Sequence, residues 1–299
     1  MKTVLITGGA GQVGLELGRL DWGADIRAVS PSRPELDITS AASVSAFFAA
    51  HAVDAIVNAA AYTAVDRAED EAGAAFVANA LGPALLADAA RASPVPLIHL
   101  STDYVFAGDK RAPYLEDDPV APLGVYGASK LAGELAVRAA APRHVILRTA
   151  WVLSAHRANF LKTMLRLAET RAEIDVVADQ IGCPTSAADI AGTIRTLVAA
   201  HLTNPGAPVG TYHFVNAGEA SWCDLANAIF AVEGAGAPRA LARPITSAEY
   251  PTKARRPANS RLSTQKLVRD FGIAPRPWRE AIREIIAELD AGRAQGAQA

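Results

Sequence analysis

Short runs of apolar residues alternate with longer amphipathic stretches through the first half of the 299-residue chain. The runs at residues 4–6, 25–29, 53–58, 96–100 and 144–149 are rich in Val, Ile and Leu. Such continuous apolar runs are typical of parallel strands that are covered on both faces, and the stretches between them have the length of helices. This alternation predicts an α/β fold with a doubly wound parallel sheet.

The predicted elements become shorter and more mixed beyond residue 171. We therefore predict a first domain at residues 1–171 and a smaller α/β domain at residues 172–290, between which the chain can recross. A helix is predicted at residues 277–289. The remaining stretch, 291–299, is rich in Gly, Gln and Ala and is predicted to be a disordered tail.

A Gly-rich turn follows the first predicted strand. Gly8, Gly11 and Gly14 form the pattern G-x-x-G-x-x-G, and a helical stretch follows it directly. Without side chains, these positions let the backbone approach a pyrophosphate, and the N-terminus of the helix faces its negative charge. Gly-rich turns are common, so the prediction of a dinucleotide-binding domain depends on the strand before the turn and the helix after it.

The second predicted strand ends at Ser30 rather than at an acidic residue that would accept a hydrogen bond from a ribose 2′-hydroxyl. Arg33 follows in the loop. A guanidinium beside serine hydroxyls would hold a 2′-phosphate that a carboxylate would repel, although a loop arginine is equally compatible with plain solvation. This favours NADPH as the cofactor, with NADH as the alternative. Asp37 and Ile38, at a further predicted strand end, could flank an adenine.

Small residues follow the third predicted strand. Ala60 and Ala61, with Tyr62 and Thr63 after them, come directly after the apolar run at 53–58. Small side chains at the C-terminal end of a strand permit close approach to a flat ligand, although an alanine run is also typical of helix packing. The next segment, from residue 65 to residue 92, predicts a helix that is interrupted near a Gly-Pro pair, because proline disrupts a helix interior.

Tyr126 and Lys130 lie four residues apart in a predicted helix at residues 126–141, so their side chains share one face. A cation beside a phenol favours the phenolate and moves the phenol pKa from about 10 toward neutrality. The pair could then serve as a general acid in the reduction of a carbonyl. Thr102, at the end of the fourth predicted strand, lies where ligands bind in open α/β sheets. The motif Y-x-x-x-K is common alone, so the prediction depends on this combination.

Composition narrows the remaining classes of function. A net charge of -2 and a pI near 6.3 argue against nucleic acid or an anionic membrane as the main partner. No secretory leader is recognisable and no apolar run reaches about eighteen residues, so we expect a cytoplasmic protein. Cys183 and Cys223 have no metal-ligand spacing. Arg256 lies in the densest basic stretch, at 253–261, which suits a diphosphate as well as plain solvation.

Several motifs together resemble the extended short-chain dehydrogenase/reductase family, and within it the reductases of dTDP-linked 4-keto-6-deoxy sugars. They are Thr7-Gly8-x-x-Gly11-x-x-Gly14, Asn58–Ala61, Ser101–Phe106, Tyr126-Gly127-x-Ser129-Lys130, Arg148–Trp151, Asp179-Gln180-x-Gly182-x-Pro184-Thr185 and Arg256–Leu262. The resemblance covers nearly the whole chain. It implies a Rossmann-type domain for NAD(P)H and a C-terminal domain for a nucleotide sugar. The implied activity is reduction of the C4 ketone of dTDP-4-dehydro-β-L-rhamnose to dTDP-β-L-rhamnose.

The resemblance also implies roles for individual residues. Tyr126 would protonate the C4 oxygen, Lys130 would lower the pKa of Tyr126 and hold the nicotinamide ribose, and Thr102 would complete the triad. The implied cofactor contacts are Gly11, Gln12, Val13, Asp37, Ile38, Ala61, Tyr62, Thr63 and Leu100. The implied contacts to the sugar nucleotide are Thr102, Asp103 and Trp151. We add Val65, Tyr104 and Arg256 as candidate substrate-binding residues, the last from its charge.

Some members of the resembled family bind Mg²⁺ at a dimer interface through three glutamates. Glu16 and Glu288 fit that pattern, but Ala188 stands at the third position. Loss of one carboxylate weakens a site for a hard cation, so a tightly bound Mg²⁺ is doubtful and no metal site is predicted. The expected state is a monomer or a weak homodimer.

Two alternatives remain open. A reductase of the opposite C4 stereochemistry, which gives a 6-deoxy-talose product, would have nearly the same residues. A non-catalytic, NADP-binding regulatory subunit that resembles the β subunit of methionine adenosyltransferase would share the fold. The presence of Thr102, Tyr126 and Lys130 together argues against the second alternative.

Overall fold

The computed structural model describes residues 1–232 and 240–296, so the last three residues of the predicted tail, 297–299, lie outside the described part. The strands are β1 Lys2–Thr7, β2 Ile26–Val29, β3 Ala55–Asn58, β4 Leu97–Thr102, β5 His144–Thr149, β6 Val152–Leu153, β7 Glu173–Val177, β8 Ile181–Gly182, β9 Thr185–Ser186, β10 Gly210–His213, β11 Ala220–Ser221 and β12 Leu241–Ile245. The α-helices are α1 Gln12–Arg19, α2 Ala41–Ala50, α3 Val65–Ala68, α4 Ala72–Phe76, α5 Gly82–Ala92, α6 Val125–Ala140, α7 Phe160–Ala168, α8 Ala187–Thr203, α9 Trp222–Phe230, α10 Gln265–Phe271 and α11 Trp278–Gly296.

Six strands form the central sheet in the order β10-β5-β4-β3-β1-β2, and every neighbouring pair is parallel. All residues of β3 and β5 are buried, as the continuous apolar runs predict for a sheet that is covered on both faces. The predicted α/β fold with a doubly wound parallel sheet is therefore confirmed. The chain runs outward from β1 in both directions, so the switch point between β1 and β3 opens a crevice at the carboxyl ends of the strands.

Alternate residues of β1 face the two helical layers. Val4 and Ile6 pack with Ile194 of α8 on one face, and Leu5 packs with Leu86 of α5 on the other. All five side chains are completely buried. Burial of each of these side chains contributes roughly 1.5–3 kcal/mol to the free energy of folding. The contacts of β1 therefore account for much of the stability with which the two helical layers pack on the sheet.

A second hydrophobic core lies between α7, α9 and α11 and includes Leu165, Leu225 and Trp278. The parallel pair β7 and β12 packs against it. The chain recrosses between the two units after residue 171, because α8 packs on the large sheet and β10 extends its edge. The smaller structural unit therefore does not consist of the whole continuous stretch 172–290, because part of that stretch belongs to the large sheet. That the smaller unit binds the substrate stays a prediction.

The segment predicted as one helix at residues 65–92, with an interruption near Gly82 and Pro83, is divided between α3 and α4. A gap separates α3 from α4, and the π-helical turn Val77–Leu81 joins α4 to α5 without a break. Pro83 lies in the first turn of α5, where the wider turn before it accommodates a residue without an N–H group. The chain therefore stays helical through Gly82 and Pro83, and the predicted interruption near this pair takes the form of the π-helical turn that ends at Leu81.

The joined stretch Ala72–Ala92 is long and apolar enough to cross a membrane by length and composition alone, contrary to the expectation from the sequence. Only 33% of its apolar window is buried, and Phe76, Val77 and Leu81 are exposed, while one face of the stretch packs in the core. Leu86 is completely buried beside β1. Asn79, also completely buried, donates from Nδ2 to the Ser129 hydroxyl and to the Tyr62 carbonyl, both at 3.0 Å. A satisfied buried amide of this kind is typical of a globular interior.

Two local predictions are also wrong. Asp37 and Ile38 do not end a strand, because the Asp37 carboxylate accepts hydrogen bonds from the backbone and hydroxyl of Thr39, at 3.0 and 2.7 Å, and closes a turn. The last helix, α11, continues to Gly296, past its predicted end at 289. Residues 291–296 are therefore helical and not a disordered tail.

Candidate active site

Two adjoining cavities lie beyond the carboxyl ends of the central strands. One has a volume of about 770 Å³ and is lined by the Gly-rich turn and residues 30–39. The other has a volume of about 600 Å³ and is lined by the ends of β4 and β5, the start of α6 and residues 157–160. Gly11, Ala59 and Ala61 line both. The two cavities therefore form one continuous cleft, at the sheet edge that the alternation of elements predicted.

The cleft brings together most of the residues singled out from the sequence. Those that line it are Gly8, Gly11, Gln12, Val13, Ser30, Arg33, Asp37, Ile38, Ala60, Ala61, Thr63, Val65, Leu100, Thr102, Asp103, Tyr104, Tyr126, Lys130 and Trp151. Gly14, Tyr62 and Arg256 do not line it. Tyr62 lies just outside because its hydroxyl donates to Glu71 at 2.6 Å and its backbone N–H donates to Asn79 at 2.8 Å.

The Gly-rich turn has the geometry of a cradle for an anion. Gly8 has a φ of +77°, and a Cβ atom there would lie 2.4 Å from the backbone nitrogen of Ala60. A Cβ atom on Gly14 would lie 2.1 Å from the Gly8 carbonyl oxygen, so Gly14 permits the contact between α1 and the turn. The free N–H groups at the start of α1 face the cleft beside Gly11. These residues fit the pyrophosphate of a dinucleotide.

The far rim of the cleft carries the residues that bear on the choice of cofactor. Arg33 is 80% exposed, and its Nε atom lies 3.6 Å from the carboxylate of Asp37. Glu35, which the sequence reasoning missed, accepts hydrogen bonds at 2.7 Å from the backbone and hydroxyl of Ser32. An exposed ion pair contributes at most about 1 kcal/mol, so the Arg33 guanidinium is available to another anion.

Thr102 and Tyr126 meet in the second cavity. The Thr102 hydroxyl donates to Asp103 at 2.9 Å and accepts from the backbone N–H of Tyr104 at 3.2 Å, which fixes its position. Burial raises the pKa of Tyr126 to about 12, and a hydrogen bond with Thr102 opposes this rise. Tyr126 therefore keeps its proton at neutral pH. The ring of Tyr104 meets that of Tyr126 edge to face, with the centroids 5.6 Å apart.

Lys130 lies one turn further along α6 and is 2% exposed. Its ammonium donates to the carbonyl oxygen of Leu100 at 2.7 Å. Burial lowers the pKa of Lys130 to about 8, and the Glu134 carboxylate opposes this change. The expectation that Lys130 lowers the pKa of Tyr126 is not met in this structure, because burial and the nearby Asp103 both raise it.

Asp103 is almost completely buried between the end of β4 and the loop that carries Ser260. Burial raises the pKa of its carboxyl to about 6, while hydrogen bonds from Ser260 and Thr102 favour the ionised form. The carboxylate is thus held next to Thr102, where it restricts the direction of the Thr102 hydroxyl. The structure consequently supports Asp103 as a neighbour of the reacting groups.

Two stacked tryptophans form an apolar wall of the second cavity. Trp151 has a φ of +48°, and its ring stacks on Trp222 at a centroid distance of 3.5 Å and an angle of 7°. Gly182 makes this possible, since a Cβ atom there would lie 2.4 Å from the Trp151 ring. Phe160 leans on Trp222 at 4.7 Å. Such a wall suits the flat face of a base or a sugar ring.

Arg256 is bound elsewhere. Its two terminal nitrogens lie 3.1 and 2.7 Å from the two carboxylate oxygens of Asp66, a bidentate arrangement. Asp66 lies in α3, beside the cleft residue Val65. The competing carboxylate explains why the guanidinium is not directed into the cleft, so its contact with a substrate diphosphate remains only a prediction.

A buried ion pair lies directly behind these groups. Arg148 of β5, 1% exposed, contacts Glu134 of α6, 0% exposed, through two hydrogen bonds of 2.8 and 2.7 Å. The hydroxyl of Ser101, next to Thr102, donates to the same carboxylate at 2.6 Å. The pair therefore joins β4, β5 and α6, which are the elements that carry Thr102, Tyr126 and Lys130.

The sequence matches the protein-family model described as "RmlD substrate binding domain" over residues 1–291. The chain belongs to this family. It is 47% identical over 286 residues to a dTDP-4-dehydrorhamnose reductase of Sinorhizobium fredii, an alignment that covers 95% of this chain and 96% of the relative. The resemblance that the sequence motifs indicated is thus confirmed.

Solved structures agree with membership of the RmlD substrate binding domain family. A dTDP-4-dehydrorhamnose reductase from Clostridium acetobutylicum is similar with a TM-score of 0.90 at 36% identity and covers 96% of this chain and 99% of that chain. Another, from Bacillus anthracis and solved in complex with NADP, has a TM-score of 0.88 at 36% identity with the same coverage. The similarity extends over both structural units.

One acidic cluster of this RmlD-family chain bears on the doubtful Mg²⁺. Glu16 and Glu288 lie together with His156, which the sequence reasoning missed, and their ligand atoms are within 4.8 Å of one another. The Arg19 guanidinium binds the Glu288 carboxylate and lies 2.8 Å from Nε2 of His156. Arg19 already supplies a positive charge here, and Ala188 offers no carboxylate, so the absence of a tightly bound metal stays our prediction.

The residues that sequence reasoning missed come from distant parts of the chain. Trp222 and Phe160 complete the aromatic wall, and Arg157 and Asn159 line the cleft beside the Gly-rich turn. Their spacing in the sequence gives no signal, since none belongs to a motif that carries chemistry. The one available signal was the aromatic residue directly after the helix cap Ser221, which predicts a ring at the start of α9.

Proposed function

We propose that this chain is an NADPH-dependent reductase that converts the C4 ketone of dTDP-4-dehydro-β-L-rhamnose into the alcohol of dTDP-β-L-rhamnose. The observation that carries the proposal is the convergence of Thr102, Tyr126 and Lys130 in one cleft with a Gly-rich anion cradle. The named reductases of the same family, one of them in complex with NADP, support this substrate class and cofactor.

The reaction needs a hydride at the C4 carbon and a proton at the C4 oxygen. When bound, NADPH supplies the hydride. Tyr126 donates the proton, since its hydroxyl remains protonated at neutral pH and lies in the cleft. Thr102 orients the same oxygen through its hydroxyl. Lys130 would hold the cofactor ribose. Its ammonium, which stays protonated at neutral pH because the pKa is about 8, would favour the phenolate that remains after proton transfer.

The two structural units divide the binding work in this proposal. The large sheet with the Gly-rich turn holds the dinucleotide. The unit around α7, α9 and α11 provides the wall formed by Trp151 and Trp222 against the nucleotide sugar. We expect the enzyme to act in the cytoplasm, where NADPH is available, as a monomer or a weak homodimer.

The experiment that tests the function is an NADPH oxidation assay with a panel of dTDP- and UDP-linked 4-keto-6-deoxy sugars. We expect the highest kcat/KM with dTDP-4-dehydro-β-L-rhamnose, and NMR of the product should show the C4 configuration of rhamnose. A talose-type product would assign the other stereochemistry. Tight binding of NADP⁺ without oxidation of NADPH by any sugar would favour a regulatory subunit.

Arg33→Ala should narrow the preference for NADPH over NADH. The guanidinium is exposed and only weakly paired, so it can hold a 2′-phosphate that NADH lacks. We expect the ratio of the two kcat/KM values to fall about tenfold, the effect of one charged hydrogen bond. Arg27→Ala is the matched control, because this exposed arginine of β2 does not line the cleft and should leave the ratio unchanged. A wild-type preference for NADH would show that the interpretation of Ser30 and Arg33 is wrong.

A further inference from the structure

Three hydrogen bonds connect the segment 154–159 to the Gly-rich turn. No sequence motif indicated this contact. Nε of Arg157 donates to the carbonyl oxygen of Ala10 at 2.6 Å. Both the hydroxyl of Ser154 and the side-chain amide of Asn159 donate to Oε1 of Gln12 at 3.0 Å. The segment therefore forms a wall of the cleft that depends on the turn for its position.

Arg157 has an unusual conformation and unused hydrogen-bond donors. Its φ of +57° lies in the left-handed region, which costs free energy for a residue with a side chain and is found mainly where function requires it. It lines the cleft together with Gly11, Gln12 and Lys130. Its two terminal nitrogens make no hydrogen bond or ion pair with any residue in the described ranges 1–232 and 240–296.

We infer that Arg157 binds the pyrophosphate of the dinucleotide, an inference that rests on the cofactor binding of the proposed function and not on turnover. The bond from Nε to Ala10 fixes the guanidinium plane at the rim of the anion cradle and leaves the two terminal nitrogens as donors. A planar pair of donors matches two phosphate oxygens. The same bond also covers the Ala10 carbonyl, whose oxygen would otherwise face the negative charge of the phosphates.

Arg157 lies at a different place from Arg33 and Arg256, the two arginines that the sequence singled out as binding residues. Arg33 lines the opposite part of the cleft with Ser30, where a 2′-phosphate would lie. Arg256 is paired with Asp66 outside the cleft. Of these three arginines, Arg157 is therefore the one that contacts the Gly-rich turn.

The test measures equilibrium dissociation constants of the whole protein for NADP⁺, NAD⁺ and dTDP by titration calorimetry. For Arg157→Ala we expect Kd for NADP⁺ and for NAD⁺ to rise by the same factor, roughly 10- to 100-fold. Kd for dTDP should stay unchanged, as should the ratio between the two cofactors. Arg157→Lys, which keeps the charge but loses the planar pair of donors, should lie between wild type and Arg157→Ala.

Arg166→Ala is the matched control, because Arg166 is an exposed arginine of α7 that does not line the cleft. It should leave all three constants unchanged. Thermal melting of each variant checks that it is folded. If Arg157→Ala melts at a lower temperature than the wild type, the dissociation constants of Arg157→Lys are used to test the inference instead. The affinity of the wild type for both cofactors should also decrease more steeply with salt than that of Arg157→Ala.

Other outcomes would overturn the inference. Unchanged cofactor affinity would show that Arg157 has a structural role only. Weaker binding of NADP⁺ alone would assign Arg157 to the 2′-phosphate, and weaker binding of dTDP would assign it to the substrate. None of these measurements requires turnover, so a wild type that binds cofactor but reduces no sugar would defeat the proposed function and leave this inference intact.

Discussion

Tyr126→Phe should lower kcat for ketone reduction by about 10²- to 10⁴-fold, the usual contribution of a general acid. The substitution removes one hydroxyl from a partly buried ring and keeps the ring in place, so Kd for NADP⁺ should change by less than about twofold. Steady-state kinetics with the keto sugar and calorimetry with NADP⁺ measure the two quantities.

The matched control for that change is Tyr114→Phe. Tyr114 is 3% exposed and its hydroxyl donates to Asp109 at 3.1 Å, away from the cleft. Removal of the Tyr114 hydroxyl should leave kcat within about twofold of the wild-type value. If Tyr126→Phe kept near-normal kcat, the proton would have to come from another group, and the mechanism proposed for this cleft would be wrong.

Glu134→Gln should lower the free energy of unfolding by about 3–5 kcal/mol, because it leaves the Arg148 guanidinium buried without a counter-charge. Gln has nearly the same shape as Glu, so the loss reports on charge and not on a cavity. Urea denaturation followed by circular dichroism measures it. The three hydrogen bonds that the Glu134 carboxylate accepts, from Arg148 and Ser101, make this a connected network.

Two comparisons test the explanation. The double variant Glu134→Leu with Arg148→Met removes both charges and should be more stable than Glu134→Gln, since no unpaired ion remains. Asp175→Asn breaks the exposed pair with Arg243 and should leave the midpoint of urea denaturation almost unchanged, because solvent screens exposed charges. Equal costs for the buried and the exposed pair would show that burial does not determine the contribution of Glu134.

The parallel sheet and the meeting of Tyr126 and Lys130 in one cleft could be predicted because their signals are local. The apolar runs of β3 and β5 are continuous in sequence, and Tyr126 and Lys130 are separated by one helical turn. The Gly-rich turn likewise lies within one short stretch, between β1 and α1. The residues of each strand, of the Tyr126 and Lys130 pair and of the turn are neighbours along the chain, so periodicity and spacing were sufficient for them, whereas Thr102 was placed only by its position at the end of a predicted strand.

The remaining features arise from contacts between distant segments. Arg157 reaches the Gly-rich turn across 147 positions, and Trp222 joins Trp151 through the packing of α9. The pKa of Tyr126 depends on burial, which the helix pattern alone did not reveal. Arg256 was assigned from charge, but its partner Asp66 lies 190 positions away. Long-range pairing of this kind cannot be derived from spacing.

Because the chain returns to the large sheet after residue 171, the two structural units cannot be separated by one cut in the sequence. A fragment that stops at residue 171 would lack α8 and the edge strand β10, and would expose the apolar face that Ile190, Ile194 and Leu197 cover. The nucleotide half is therefore not an exchangeable module. A chimera that exchanges the region around Trp151 and Trp222 has to keep residues 187–203 and 210–213 with their original sheet and graft only the loops and helices around the two tryptophans.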